Sequence, residues 1–253
     1  MPFPSRFFRR GIVIAGLAWP LLACAQQLTV SAAASLTDAF KEIGQRFEAG
    51  KAGATVRFNF AASGVLIQQI TQGAPVDVFA SADQETMDRG VAQKLIDADT
   101  RRDFAANTLV LIVPAQEASR VAKVSDLGQP AVKRIAIGKL ASVPVGRYTR
   151  QALEAAATWT VLEPKFVYAE SVRQVLDYVA RGEAEAGFVY RTDATLMPGK
   201  VKVVQTVEGH APVRYPVAVV SESRQKALAR DFVAFLGSTE GQAILERFGF
   251  ARP

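Results

Sequence analysis

The chain has 253 residues, of which 49% are hydrophobic and 21% are charged, and it contains 18 glycines and 12 prolines. This length is enough for one large or two small domains with a buried core, and the composition excludes a collagen-like or wholly disordered chain. A single Cys and a single His exclude a disulfide framework and a Cys/His zinc site. Any Ser–His or Cys–His catalytic pair would have to use His210.

The first 25 residues have the pattern of an export signal. Residues 1–10 carry three arginines and no acid, and residues 11–23 form an uncharged apolar run that is too short to span a bilayer. Ala23, Cys24 and Ala25 match the small-x-small pattern of a cleavage site, so we expect a periplasmic chain that begins at Gln26. The alternative is that residues 21–24 form a lipobox and that Cys24 carries a lipid anchor.

The charge of the mature chain argues against nucleic acid as a partner. Removal of residues 1–25 lowers the formal net charge from +6 to +3. The remaining Lys and Arg residues are scattered, and no basic stripe alternates with aromatic residues. The electrostatic footprint of a nucleic-acid-binding protein is therefore missing.

From Leu28 onward, short apolar runs, turns rich in small residues and amphipathic segments follow one another, which predicts an α/β fold with βαβ units. Strands are predicted at residues 27–32, 54–60, 76–80, 108–114, 134–137, 164–168, 186–190 and 215–220. Helices are predicted at residues 35–49, 65–72, from 82 onward, 147–157, 172–181, 224–236 and 243–247. Each sheet is expected to be mixed, mostly parallel and flanked by helices.

Two of these strands, at 108–114 and 215–220, bracket a central insert. The simplest arrangement is two lobes between which the chain crosses twice. We predict one lobe from residues 26–107 and 217–253 and the other from residues 109–215. Because ligands of parallel α/β sheets bind beyond the carboxyl ends of the strands, the cleft between the lobes is the expected site.

Four strand-to-helix turns, around Ser35, Ser63, Val145 and Val172, are the candidates for ligand contacts. A helix N-terminus presents unpaired N–H groups and the positive end of the helix dipole, which favours an anion. Among these turns, only Val172 has a directly adjacent basic residue, Arg173. Neutral donors suit an enclosed oxyanion without protons, because the O–H of a protonated analogue would find no acceptor.

Six segments carry a resemblance to a known family: AAASLT at 32–37, GAPVDVF at 73–79, SADQ at 81–84, VPVG at 143–146, GFVY at 187–190 and YPVAVV at 215–220. In this order they resemble the periplasmic molybdate-binding proteins of ABC importers, which are type II periplasmic binding proteins. The resemblance runs from Leu28 to Phe250. It implies a two-lobed monomer that closes around molybdate or tungstate and delivers it to a membrane permease driven by a cytoplasmic ATPase, without a cofactor.

The resemblance also implies the ligand contacts. Ser35 and Ser63 would each give a backbone N–H and a hydroxyl, Val145 and Val172 would give backbone N–H groups, and Tyr190 would give its phenolic hydroxyl. These groups would bind the oxygens of the oxyanion, with no direct ligand to the metal. The family commonly has Ala in place of Val145 and a run of serines around Ser63.

Alternatives remain open at this point. Another oxyanion, such as sulfate, thiosulfate or phosphate, is the nearest one. An exported hydrolase would use Ser35 or Ser63 as nucleophile with His210 as its only imidazole, and a membrane-tethered structural protein would require lipidation of Cys24. Taken singly, Ser35 with Asp38 also resembles a helix-capping box.

The remaining polar candidates have simpler interpretations. We expect Asp83 to be a helix cap and Asp77 to be a partner for turn amides. The spacing of Ser223 and Lys226 fits a bare Ser-x-x-Lys dyad, but no other element of such an enzyme is present. His210 is expected in an exposed turn.

Overall fold

The computed structural model describes residues 26–116 and 121–253. The predicted export signal and Cys24 lie outside the described residues. Within the described ranges, ten strands form two five-stranded sheets that are flanked by helices, which confirms the predicted α/β fold. No helix in this part of the chain combines the length and the apolar character needed to cross a membrane.

The first sheet consists of β1 (Gln26–Ala33), β2 (Ala54–Ala61), β3 (Val78–Ala80), β4 (Arg102–Asn107) and β10 (Val213–Val219). The second sheet consists of β5 (Leu109–Pro114), β6 (Ile135–Gly138), β7 (Phe166–Ala169), β8 (Ala186–Tyr190) and β9 (Val201–Thr206). The spatial orders are β2-β1-β3-β10-β4 and β7-β6-β8-β5-β9. In each sheet four strands run in one direction and one strand, β10 or β5, runs against its two neighbours.

Nine α-helices of the described residues connect and cover these strands. They are α1 (Thr37–Ala49), α2 (Ser63–Thr71), α3 (Gln84–Ala92), α4 (Pro144–Ala155), α5 (Trp159–Leu162), α6 (Val172–Ala180), α7 (Arg191–Ala194), α8 (Lys226–Leu236) and α9 (Thr239–Arg247). Short 3-10 helices lie at Ala34–Leu36, Ala98–Thr100, Val124–Gly128 and Glu163–Lys165.

The two strands that the sequence did not predict, β4 and β9, are edge strands of their sheets, and each lies next to the strand that runs against its neighbours. Edge strands are exposed on one flank, so their sequences, RDFAAN and VKVVQT, lack a continuous apolar run. The predicted strand at 215–220 is β10, which begins two residues earlier. All of β10 belongs to the first sheet, so the boundary that was predicted between 215 and 217 falls inside this strand.

We call the first sheet with α1–α3, α8 and α9 the first lobe, and the second sheet with α4–α7 the second lobe. The chain crosses between them at Thr108 and again between Thr206 and Val213. The apolar face of α1 explains why the C-terminal helices return to the first lobe. Phe47 on α1 packs against Phe232 on α8 with ring centroids 5.2 Å apart, and both side chains are buried.

Candidate functional site

A single small cavity between the lobes is lined by all five residues that the resemblance implicates: Ser35, Ser63, Val145, Val172 and Tyr190. The other lining residues are also uncharged: Ala33, Ala34, Ala62, Ala82, Val143 and Pro144. The cavity is narrow, with a volume of about 10 Å³. The first lobe contributes the two serines, and the second lobe contributes the two valines and the tyrosine.

The sheet topology explains why residues so distant in sequence meet. Strands β1 and β2 are parallel neighbours, and the turns with Ser35 and Ser63 follow their carboxyl ends. Strands β6, β7 and β8 are likewise parallel neighbours, and Val145, Val172 and Tyr190 lie at or just beyond their carboxyl ends. Ligands of parallel α/β sheets bind at this edge, and here the two edges face each other.

Four backbone amides are available at the cavity. Ser63 and Val172 are the first residues of α2 and α6, Val145 is the second residue of α4, and Ser35 lies within a 3-10 turn. First-turn N–H groups have no acceptor within their own helix. No described residue accepts a hydrogen bond from these four N–H groups.

Side-chain caps do not use the four amides at the cavity. The 3-10 turn of Ser35, helix α2 and helix α4 begin without a side-chain cap, whereas α3 and α9 are capped by Asp83 and Ser238. Only α6, among the four helical starts at the cavity, has a capping side chain: Ser171 accepts from the N–H of Gln174. This cap serves the third residue of the helix and leaves the N–H of Val172 unused.

The serine hydroxyls have partners that leave a proton available. The N–H of Ala82 donates to Ser63 Oγ at 3.0 Å, so the Ser63 proton is not used in that bond. Ser35 Oγ lies 3.1 Å from the hydroxyl of Tyr215. The capping box that Ser35 and Asp38 resemble in sequence is not formed: α1 begins at Thr37, and the buried Ser35 hydroxyl lies beside that of Tyr215 on β10 instead.

The hydroxyl of Tyr190 is buried and has no hydrogen-bond partner among the described residues. Its side chain is 1% exposed and lies at the end of β8, against the ring of Tyr215 at a centroid distance of 5.9 Å. A buried hydroxyl without a partner costs about 1–3 kcal/mol. Burial also raises the pKa of Tyr190 well above its ordinary value, so the group is a donor at neutral pH. The side chain therefore presents an unused donor to the cavity.

Two arginines lie beside the cavity, and both are paired with carboxylates. Arg147 of α4 donates from Nε to Asp83 at 2.9 Å, which joins the second lobe to the first. Arg173 of α6 forms ion pairs with Asp38 of the first lobe at 2.9 Å and with the buried Asp193 at 2.7 Å. The sequence drew attention to Arg173 but missed Arg147, because the contact with Asp83 exists only when the lobes meet.

Gly64 permits a close approach between the backbones of the two lobes. Its N–H donates to the carbonyl oxygen of Ser142 in the second lobe at 2.9 Å. A Cβ at this position would lie 2.6 Å from the Cα of Ser142, so only glycine fits. The two lobes are therefore in direct backbone contact next to the cavity-lining residues Ser63 and Val143.

The other polar candidates do not join this site. Both ring nitrogens of His210 lie within 3.0 Å of the backbone carbonyls of Ala211 and Val207, and the ring, which is half-buried rather than exposed, packs on Tyr148. Ser223 is buried and donates to Asp77 at 2.7 Å, which leaves no Ser–Lys dyad.

The predicted capping role of Asp83 is confirmed, whereas the predicted role of Asp77 as a partner for turn amides is not. Asp83 caps α3 by accepting from the N–H of Thr86. Asp77 accepts from the N–H of Thr29 at 2.8 Å, and this amide belongs to β1 rather than to a turn.

Comparison with known proteins agrees with this arrangement. Residues 28–251 match the family model described as bacterial extracellular solute-binding protein. The chain is 40% identical over 230 residues to the molybdate-binding protein ModA of Escherichia coli (88% of each chain) and 41% identical over 231 residues to ModA of Mycobacterium bovis (90% of this chain, 86% of the relative). Its fold matches the periplasmic molybdate-binding protein of Azotobacter vinelandii with a TM-score of 0.78, at 24% identity and over 89% and 99% of the two chains. The chain thus belongs to the bacterial extracellular solute-binding protein family.

Proposed function

We propose that the protein captures molybdate or tungstate outside the cytoplasm and delivers it to an ABC importer. The observation that carries the proposal is the cavity itself, where Ser35, Ser63, Val145, Val172 and Tyr190 converge and where the Tyr190 hydroxyl has no protein partner. Relatives at 40% and 41% identity that are named molybdate-binding proteins support the choice of ligand.

The donor set determines what kind of ligand fits. Four backbone amides and three hydroxyls would surround the oxyanion, and none of them carries a formal charge. A dianion without protons accepts hydrogen bonds at every oxygen, whereas the O–H of a protonated anion would face donors only. Sulfate has the same charge and shape as molybdate, so discrimination between them rests on cavity size, because the bonds of the metal oxyanion are longer.

Binding and lobe closure are coupled in this proposal. Each lobe alone exposes only part of the donor set: Ser35 and Ser63 on the first, and Val145, Val172 and Tyr190 on the second. An oxyanion that bridges them binds the closed form better than the open form and shifts the equilibrium toward closure. No cofactor and no catalytic step are involved, and the chain acts as a monomer.

The family and the pattern of residues 1–25 support export to the periplasm, with lipidation of Cys24 as the alternative. The partner that receives the oxyanion would be a membrane permease with its cytoplasmic ATPase. This assignment rests on the resemblance of the chain to binding proteins of ABC importers.

The test is a set of thermal melts and calorimetric titrations of the chain from Gln26 onward with molybdate, tungstate, sulfate and phosphate. A ligand at a thousand times its dissociation constant stabilises the native state by about 4 kcal/mol, which raises the melting temperature by several degrees. We expect this shift with molybdate or tungstate and not with phosphate. A flat titration with both metal oxyanions would refute the proposed function.

Two substitutions test the assigned donors. Tyr190→Phe should weaken molybdate binding about tenfold and leave the ligand-free melting temperature unchanged or higher, because it removes a buried hydroxyl that has no protein partner. Ser35→Ala should also weaken binding. The matched controls are Tyr168→Phe and Ser125→Ala, at exposed positions outside the cavity, which should leave the affinity unchanged.

A further inference from the structure

The side-chain amide of Asn107, at the first crossing between the lobes, has a fixed orientation. Its Oδ1 accepts from the N–H of Thr108 at 2.8 Å, and a backbone N–H can only donate. Nδ2 therefore points to the other side, where it lies 2.8 Å from Thr192 Oγ1 and 3.3 Å from the hydroxyl of Tyr215. Both of its protons are directed at these two oxygens.

This orientation determines the direction of the next hydrogen bond. Because Nδ2 of Asn107 has only protons to offer, the Tyr215 oxygen is the acceptor in that pair. The single proton of Tyr215 is then directed to its other partner, Ser35 Oγ, 3.1 Å away. Tyr215 is fully buried, and burial raises its pKa well above the ordinary value, so the phenol keeps this proton.

The last step concerns the hydroxyl of Ser35 at the cavity. Since Ser35 Oγ accepts from Tyr215, its own proton is not used in that bond. Ser35 lines the cavity, so this proton is available to an oxyanion there. If the Tyr215 bond ran in the opposite direction, Ser35 would present only a lone pair and would favour a ligand that carries a proton.

We propose that Asn107 and Tyr215 are positioning residues that hold the Ser35 hydroxyl as a donor toward the ligand, and that they thereby favour proton-free oxyanions over protonated ones. This inference rests on the proposed function and deepens it. Neither residue lines the cavity, so each acts through Ser35.

The experiment is a double-mutant cycle with Tyr215→Phe and Ser35→Ala, read by calorimetric titration with sodium molybdate and by competition with phosphate. Alone, Tyr215→Phe should weaken molybdate binding about tenfold and narrow the preference for molybdate over phosphate, because the Ser35 hydroxyl then becomes free to accept. In the Ser35→Ala background, the same change should alter the affinity less than twofold. Tyr148→Phe is the control, since it removes another buried phenol hydroxyl that lies outside the cavity lining.

The outcomes separate the two proposals. Equal losses from Tyr215→Phe in the wild-type and Ser35→Ala backgrounds would show a general structural role and would overturn this inference while the proposed function stands. If the wild-type chain binds neither molybdate nor tungstate, both proposals fail. Should Tyr215→Phe fail to fold, Asn107→Ala serves in the same cycle, because it removes the group that fixes the direction of the hydrogen bond, and the same two results support or overturn the inference.

Discussion

The cavity and the two arginine bridges beside it lie in the same interface between the lobes but use different chemistry. The cavity is lined by uncharged residues, whose donors are backbone amides and hydroxyls. The bridges consist of full charges: Arg147 with Asp83, and Arg173 with Asp38 and Asp193. Charge is therefore placed where it joins the lobes and is kept away from the space in which a ligand would lie.

The separation of neutral donors from charged bridges explains how a binding protein can select one anion among many. An arginine fork inside the cavity would form strong charge-assisted bonds with carboxylates and phosphates of many kinds. Here each arginine faces a carboxylate, so the attraction of the guanidinium groups is largely satisfied within the protein. Recognition is left to neutral donors whose number and direction are fixed by the helix N-termini and by the partners of the hydroxyls.

The largest effect is expected where the lobes make backbone contact. In Gly64→Ala, the new methyl group would lie 2.6 Å from the Cα and 2.7 Å from the carbonyl oxygen of Ser142, and neither atom can rotate away. Closure would cost about 3 kcal/mol through overpacking and loss of the Gly64–Ser142 hydrogen bond, so we expect molybdate binding to weaken about 100-fold. Titration calorimetry measures this loss.

The matched control is Gly128→Ala, where an added Cβ meets nothing within 4 Å. It should bind molybdate like the wild-type chain. An unchanged affinity in Gly64→Ala would show that ligand binding does not require the closed arrangement of the lobes. The contacts between the lobes would then have no part in binding.

The bridge between Arg147 and Asp83 is tested by Arg147→Gln. Arg147 and Asp83 side chains are only 12% and 5% exposed, so the loss of one partner leaves a buried carboxylate without its counter-charge in the closed form. We expect molybdate binding to weaken about tenfold, with little change in the melting temperature of the ligand-free chain. Arg150→Gln, whose partner Glu154 is exposed, should have almost no effect.

Salt separates this interpretation from a long-range electrostatic one. Exposed charges are screened within about 8 Å at physiological ionic strength, whereas buried pairs are screened much less. The difference between wild type and Arg147→Gln should therefore persist in 0.5 M salt. If it disappears there, Arg147 attracts the dianion from a distance and does not act as a contact between the lobes.

The sequence was informative wherever a residue's role depends on its own strand or helix. Buried strands such as β5 and β8 are continuous apolar runs, and Val145 and Val172 follow strands at turns where helices must begin. These local patterns, with the family resemblance, were enough to place all five cavity residues. Because four of these residues lie in first helical turns, their backbone N–H groups have no acceptor within the helix.

Contacts between distant segments could not be predicted in this way. Ser35 looked like a helix cap because Asp38 follows it, but Tyr215, 180 positions away, takes its hydroxyl. The Arg147–Asp83 pair spans 64 positions and the two lobes. Both contacts depend on the tertiary arrangement of distant segments, which the local periodicity of a sequence does not reveal.

The last expected effect concerns the stability of the folded chain rather than ligand binding, at the buried end of the other bridge. Asp193 is fully buried, and desolvation raises its pKa from 3.8 to about 6 although Arg173 opposes the shift. Between pH 4 and pH 6 the folded chain therefore holds a proton that the unfolded chain has released. The contribution of this group to the free energy of unfolding is fully present below about pH 4, declines as the pH rises to 6 and stays constant above that.

Asp193→Asn isolates this contribution, because an amide resembles the protonated carboxyl at every pH. Urea denaturation of both chains should show the variant gaining stability relative to wild type as the pH rises from 4 to 6, by no more than about 1.4 kcal/mol per pH unit. Asp99→Asn, at an exposed position, controls for the loss of one negative charge. If Asp193→Asn instead loses stability relative to wild type as the pH rises from 4 to 6, the attraction of Arg173 outweighs burial. The pKa of Asp193 in the folded chain would then lie below its ordinary value.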